Sequence, residues 1–157
     1  DVADSVRRHS ESLDLIETLN EYALIKKKPV LGICLGMQLM SKISEEGNCQ
    51  GLGWLDCEVK KFQVQDTIKF KVPHTGWNQI KQVSNCELME NIPNFSEFYF
   101  VHSYYMSLTH QNIATNTTDY SGSFVSAIQQ DNLYGVQYHP EKSHEVGLQL
   151  LKNFCNL

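Results

Sequence analysis

The run Pro29-Val30-Leu31-Gly32-Ile33-Cys34-Leu35-Gly36-Met37-Gln38 ends an apolar stretch on a thiol set between two glycines. A β-branched apolar run reads as a buried strand, and Gly-x-Cys-x-Gly has the layout of a nucleophile elbow. Such an elbow turns a strand sharply into a helix and lifts one side chain to the edge of a sheet. Gly32 and Gly36 are expected to keep Cβ atoms out of that crowded turn. Residues Leu35 to Ile43 are expected to continue as a helix whose N-terminus faces the sulfur and favours thiolate, the attacking form. A buried structural cysteine accommodates the same local pattern, since free Cys is among the most buried residue types.

A second segment, Gly135-Val136-Gln137-Tyr138-His139-Pro140-Glu141-Lys142-Ser143, supplies what a thiol nucleophile needs. Val136 and Tyr138 alternate with more polar neighbours, as in a short strand. Pro140 cannot donate to a ladder, so the strand must stop near His139. An imidazole with a carboxylate two residues on can take a thiol proton, return it to a leaving amine, and hold the useful tautomer. The alternative for this segment is an ordinary surface loop. One Cys with a distant His is nonetheless the layout of a thiol acyl-transfer enzyme.

These two segments resemble the signatures of the class I, triad-type glutamine amidotransferases. Three more narrow the likeness: Val72-Pro73-His74-Thr75-Gly76-Trp77-Asn78, Phe98-Tyr99-Phe100-Val101-His102-Ser103-Tyr104, and Glu141-Lys142-Ser143 with Gly147-Leu148-Gln149-Leu150-Leu151. All three resemble the glutaminase subunits of imidazole-glycerol-phosphate synthase, which feed ammonia to a barrel-shaped cyclase in histidine biosynthesis. The likeness runs through nearly the whole chain in order.

The resemblance implies roles residue by residue. Cys34 would attack the glutamine amide to give a glutamyl thioester. His139 would serve as base and then acid, with Glu141 orienting it. The backbone N–H of Leu35 would be an oxyanion donor. Gly36, Gln38 and Glu46 would help hold the substrate, Glu46 as counter-charge to its α-ammonium, and His102, Ser103 and Tyr104 would form a further wall of the pocket. Glu46 equally fits a solvated turn in Ser44-Glu45-Glu46-Gly47. Pro73, His74, Trp77 and Asn78 read as a loop, and in the resembled family that loop faces the cyclase. A Trp beside an Asn on a loop is a plausible interface anchor, although a Trp packed under its own loop fits as well.

Composition limits the other classes. The net charge is −5 and the only basic cluster is Lys26-Lys27-Lys28, which a helix end explains without nucleic acid. Five cysteines, odd in number and without a Cys-x-x-Cys pair, indicate neither a disulfide framework nor a zinc site. No metal or cofactor is expected. No apolar stretch approaches the ~20 residues of a membrane span, and no signal peptide is visible, so a cytoplasmic enzyme without membrane contact is expected.

The organisation expected is one domain over residues 1–157, of α/β class. It is an open mixed sheet flanked by helices, flavodoxin-like, with the site along the carboxyl edge of its strands. Apolar residues at helical spacing predict a helix over Ser5–Lys27, and a closing helix is predicted from about Ser143 to Phe154. Strands are predicted over Leu55–Phe62, Thr67–Lys71, Trp77–Val83, Phe98–Val101, Ile113–Thr117, Phe124–Gln129 and Leu133–Tyr138. In the resembled family a first strand and a Pro-Gly-Val-Gly type loop precede the region where this chain opens at Asp1. The chain is therefore expected to be N-terminally incomplete, with apolar sheet edges left uncovered. Three other readings remain open: a paralogous glutaminase serving another synthase such as one aminating a surface-sugar precursor, a non-catalytic scaffold, and a γ-glutamyl peptidase using the same triad.

Overall fold

The computed structural model of the chain describes residues 15–157. The helix expected over Ser5–Lys27 is seen over its second half, and its first ten residues lie outside the described part. Helix α1 (Leu15–Asn20) runs on into a π-helical turn at Glu21–Ile25. Eleven strands follow. They are β1 (Val30–Ile33), β2 (Ile43–Ser44), β3 (Cys49–Gln50), β4 (Cys57–Lys61), β5 (His74–Gln79), β6 (Lys81–Gln82), β7 (Glu97–His102), β8 (Tyr104–Leu108), β9 (Ala114–Asp119), β10 (Ser123–Gln130) and β11 (Leu133–Val136). A single-turn helix α2 (Leu35–Leu39) follows β1, and α3 (His144–Cys155) closes the chain.

Nine strands form one mixed sheet in the order β1-β11-β10-β8-β4-β2-β3, with β9 on β10 and β6 on β9. The pairs β1–β11 and β2–β4 are parallel, and the others in this sheet are antiparallel. The α/β architecture with a mixed sheet is therefore as expected. Strands β5 and β7 form a separate antiparallel pair, from His74 opposite His102 to Gln79 opposite Glu97. Two apolar clusters fill the interior. One gathers Met37, Met40, Leu55, Cys57, Met106 and Ile128, and the other packs Phe98, Phe100, Val136, Tyr138 and Leu150.

Several elements differ from expectation. The elbow helix stops at Leu39 rather than Ile43, because Ile43 and Ser44 are drawn into parallel pairing with Glu58 and Val59. The Thr67–Lys71 run forms a turn, with Asp66 accepting the backbone N–H groups of Ile68 and Lys69 through its side chain. The segment 73–78, read as a loop, pairs as β5 from His74 onward, and the strand expected over Trp77–Val83 is divided between the end of β5 and β6. Strand β8 was not anticipated. Around β1 the flanking Val30, Leu31 and Ile33 are half-buried rather than buried, since among the described residues β1 pairs on one side alone. No helix among those residues is long and apolar enough to cross a membrane.

The elbow glycines are not equivalent. A Cβ on Gly32 would stand 2.6 Å from the Met37 backbone nitrogen and 2.7 Å from the Gly36 carbonyl, whereas a Cβ on Gly36 would meet open space. Only Gly32 is sterically required. Gly32→Ala is therefore expected to destabilise the protein by about 1–3 kcal/mol through overpacking. Gly36→Ala should be neutral or stabilising, since Ala exceeds Gly by about 1 kcal/mol in helices. Urea-denaturation midpoints of the two variants check both signs.

Candidate active site

Parallel pairing sets Ile33 opposite Val136, so both strands end at the same edge of the sheet. Cys34 leaves β1 there with φ 51° and ψ −108°, a left-handed conformation uncommon for a residue bearing a Cβ. Its backbone N–H donates to Val136 O at 2.8 Å, stitching the turn to β11. This is the elbow geometry, a strained residue between strand and helix. Beside it opens a cavity of about 340 Å³, lined by Cys34, Leu35, Gln38, Glu46, Pro73, Val101, His102, Ser103 and Tyr104. That volume lies at the small end of the range for small-molecule sites. Eight residues singled out in the sequence, all of these but Val101, thus meet in one place. Glu46 reaches it from the turn between β2 and β3, where its backbone N–H bonds the Ser44 hydroxyl.

His139 stands at the exit of β11, where its N–H donates to Tyr99 O at 2.9 Å. Its Nδ1 lies 2.6 Å from Glu141 Oε1. A carboxylate only accepts, so Nδ1 carries the proton and Nε2 keeps its lone pair in the neutral ring. Nε2 is buried and has no partner among the described residues. Buried Ser143 fixes this turn by taking the Tyr99 N–H at 3.0 Å and donating to His139 O at 2.6 Å. The thiol itself points at Val101 O, 4.0 Å away, and is not bonded to His139. Catalytic contacts are commonly loose before substrate arrives.

Other expected residues fall differently. His74 is 3% exposed and sits between the rings of Tyr120 and Phe100, at 3.9 and 4.8 Å, so it cannot be a surface contact. Its position on the inner face of β5 explains the difference. Asn78 is half-buried, while Pro73 is exposed at the mouth of the Cys34 cavity. Trp77 is 46% exposed and stacks on His144 at 4.9 Å with the rings 6° from parallel. Gly36 does not line the cavity.

Comparison with known proteins decides the family. Residues 6–157 match the model of the class-I glutamine amidotransferases. Over 151 residues the chain is 45% identical to imidazole glycerol phosphate synthase subunit HisH 2 of Methanococcus maripaludis, covering 96% of this chain and 74% of that one. The chain belongs to the class-I glutamine amidotransferases, in the HisH family. The HisH subunit of Pelagibacter ubique is 44% identical, with 91% of this chain and 69% of that protein covered. A crystal structure of a glutamine amidotransferase has a TM-score of 0.67 at 11% identity, covering 98% of this chain and 75% of the other, a likeness of fold.

Electrostatics in this HisH-family chain run against a preformed thiolate. Burial raises the Cys34 thiol above its ordinary value, and the Leu35 backbone N–H and the Gln137 amide oppose that rise. The Glu141 and Glu46 carboxylates add to it. The one-turn α2 does not outweigh burial, contrary to the expectation from a long elbow helix. The sulfur therefore needs a base at the moment of attack.

Two buried histidines behind the cavity wall carry a pH signature. Burial lowers His102 to about 3 and His74 to about 4. Both are neutral when folded, while the unfolded chain takes up protons near pH 6.5. The unfolded state then binds more protons below that pH, so stability falls as pH drops from about 6.5 and levels off only near the folded values. The loss should reach on the order of 3 kcal/mol per histidine by pH 4. His74→Asn, whose amide nitrogen can stand where Nδ1 stood, should show a shallower loss between pH 7 and 4.5 in urea titrations. An equal slope would mean that His74 protonates freely in the folded protein.

Proposed function

We propose that this chain is the glutaminase subunit of an imidazole-glycerol-phosphate synthase, a single domain over residues 1–157 that makes ammonia for a cyclase subunit in histidine biosynthesis. What carries the reading is one cavity holding Cys34, Leu35, Gln38, Glu46, His102, Ser103 and Tyr104 at the sheet edge where His139 and Glu141 leave β11. Cys34 is the nucleophile, His139 the acid and base, and Glu141 the group that orients it. His139 Nε2 takes the thiol proton as Sγ attacks the glutamine side-chain carbon. The carbonyl oxygen becomes an oxyanion facing the Leu35 N–H, the first of the elbow helix and without an intrahelical acceptor. Collapse expels ammonia with the proton returned from Nε2, leaving a glutamyl thioester. Water, deprotonated by the same nitrogen, releases glutamate and restores the thiol.

Substrate selection follows from the wall. The Glu46 carboxylate suits the α-ammonium, and Gln38 is bound internally, donating to Tyr104 O at 3.0 Å and Gln137 Oε1 at 2.9 Å. Gln38 thus shapes the pocket more than it reaches into it. Ammonia leaves toward a β/α-barrel cyclase in a cytoplasmic heterodimer, and the lyase half of the reaction belongs to that partner. Support for the docking face comes from exposed Trp77 and from the open groove of about 750 Å³ that it shares with Glu97, Ser143, His144, Glu145 and Val146.

Cys34→Ala should abolish glutamate release from glutamine in the assembled synthase while leaving the ammonium-driven cyclase reaction at full rate. Loss of the ammonium-driven reaction as well would break the proposed division of labour. Trp77→Ala should weaken partner stimulation of glutamate release by about thirtyfold, the effect of a ~2 kcal/mol hot spot. Labelling of Cys34 by a glutamine-like chloroketone should be unchanged in that variant. Undiminished stimulation would remove Trp77 from the docking face.

A further inference from the structure

Gln137 is a polar side chain with 0% exposure, adjoining the cavity without lining it. It lies one residue beyond β11, whose four residues are all buried. A buried amide must satisfy its donors and acceptor, and the partners found here fix which end is which. Tyr104 O can only accept, and it takes two donors, Gln38 Nε2 at 3.0 Å and His102 Nδ1 at 2.7 Å. The Gln38 nitrogen therefore faces both Tyr104 and Gln137, so the Gln137 group at 2.9 Å from it must be the oxygen. The Gln137 nitrogen is left pointing at Cys34 Sγ, 3.6 Å away. No other orientation of the two amides serves all three contacts.

We propose that Gln137 is a positioning residue for Cys34, its amide donating to the sulfur with an orientation locked through Gln38 to the Tyr104 carbonyl. This rests on Cys34 being the nucleophile. The donor does two things. It holds Sγ at one place at the cavity's edge, and it supports negative charge as the proton leaves, since a hydrogen bond to the charged form favours that form. The charged or titratable groups around the sulfur are Glu141 and Glu46, both opposing thiolate, with His102 on the cavity wall and His139 at the neighbouring strand end. Among them the Gln137 amide and the Leu35 N–H are the donors that favour it.

The test is the pH profile of Cys34 alkylation by iodoacetamide in the full chain, read on the Cys34 peptide by mass spectrometry. Cys49, Cys86 and Cys155 serve as internal controls. Gln137→Met is neutral and of similar length but has no donor. It should move the Cys34 midpoint up by about one pH unit, so that labelling near neutral pH slows about tenfold. The control cysteines should keep their rates. Gln137→Glu still offers Gln38 an oxygen, which preserves the fold if the Met variant loses it, and it turns an acceptor toward the sulfur. Its midpoint should move at least as far. A Cys34 midpoint that stays at the wild-type value in either folded variant overturns the proposal, because a merely structural glutamine would change stability and leave the profile alone. Alkylation uses neither glutamine nor a partner. A synthase that releases no glutamate would defeat the functional reading while leaving this result standing, and the converse also holds.

Discussion

The site depends on two glycines set opposite each other. Gly32 on β1 pairs with Gly135 on β11, and Met37 of the elbow helix packs across both. A Cβ on Gly135 would come within 2.7 Å of Met37 Cγ, just as one on Gly32 would strike the Met37 backbone. Met37 is itself fully buried. The helix can therefore fold back over the parallel pair only because neither strand carries a side chain there. That close return forces Cys34 into a left-handed conformation, at roughly 1–3 kcal/mol of strain. It also puts the exits of β1 and β11 side by side, so a thiol and an imidazole more than a hundred residues apart in sequence leave the sheet at one edge.

The elbow, the β11 exit and the closing helix were legible because each rests on a local rule. An apolar run stops on Gly-x-Cys-x-Gly, a proline signals the end of a strand that closes at Val136 instead of the expected Tyr138, and Val146, Leu148, Leu150 and Leu151 mark the closing helix. What escaped reading depends on tertiary partners. Strand β5 follows Pro73 and contains Gly76 and Asn78, which signal a turn, but pairing with β7 over six residues overrides that signal. Strand β8 went unseen because Ser103 interrupts an otherwise continuous run, and Tyr104–Leu108 is claimed by β4 across five pairs. The length of α2 was misjudged for the same reason, since pairing of Ile43 and Ser44 with β4 competes with the helix. The burial of Gln137 breaks the outward-polar pattern of a half-covered strand. Gln137 lies one residue past β11, where the elbow helix brings Gln38 against its side chain.

Behind the cavity, hydrogen-bond polarity is fixed over a longer path than the nucleophile alone requires. His102 donates from Nδ1 to Tyr104 O, so its Nε2, neutral at physiological pH, must accept from His74 Nδ1 at 3.1 Å. His74 Nε2 in turn accepts from Asn78 Nδ2 at 3.3 Å, and the same amide nitrogen donates to Asp119 O at 3.1 Å. Tyr104 O is thus where two chains of bonds meet, one from β5 and one from the sulfur. The carbonyl's two lone pairs are both used. Neither histidine can become charged without losing an acceptor, which is why the pair reads as a rigid wall of the pocket and not as an acid or base.

A thiol that keeps its proton follows from the balance of groups around Cys34 Sγ. Burial and two carboxylates hold the proton on, and two N–H donors favour its removal. Of the influences that hold the proton on, burial is the largest, Glu141 is next and Glu46 is the smallest. Glu46 lines the cavity from its turn, so it is the opposing carboxylate whose influence on the sulfur acts across open space and not through the packed interior.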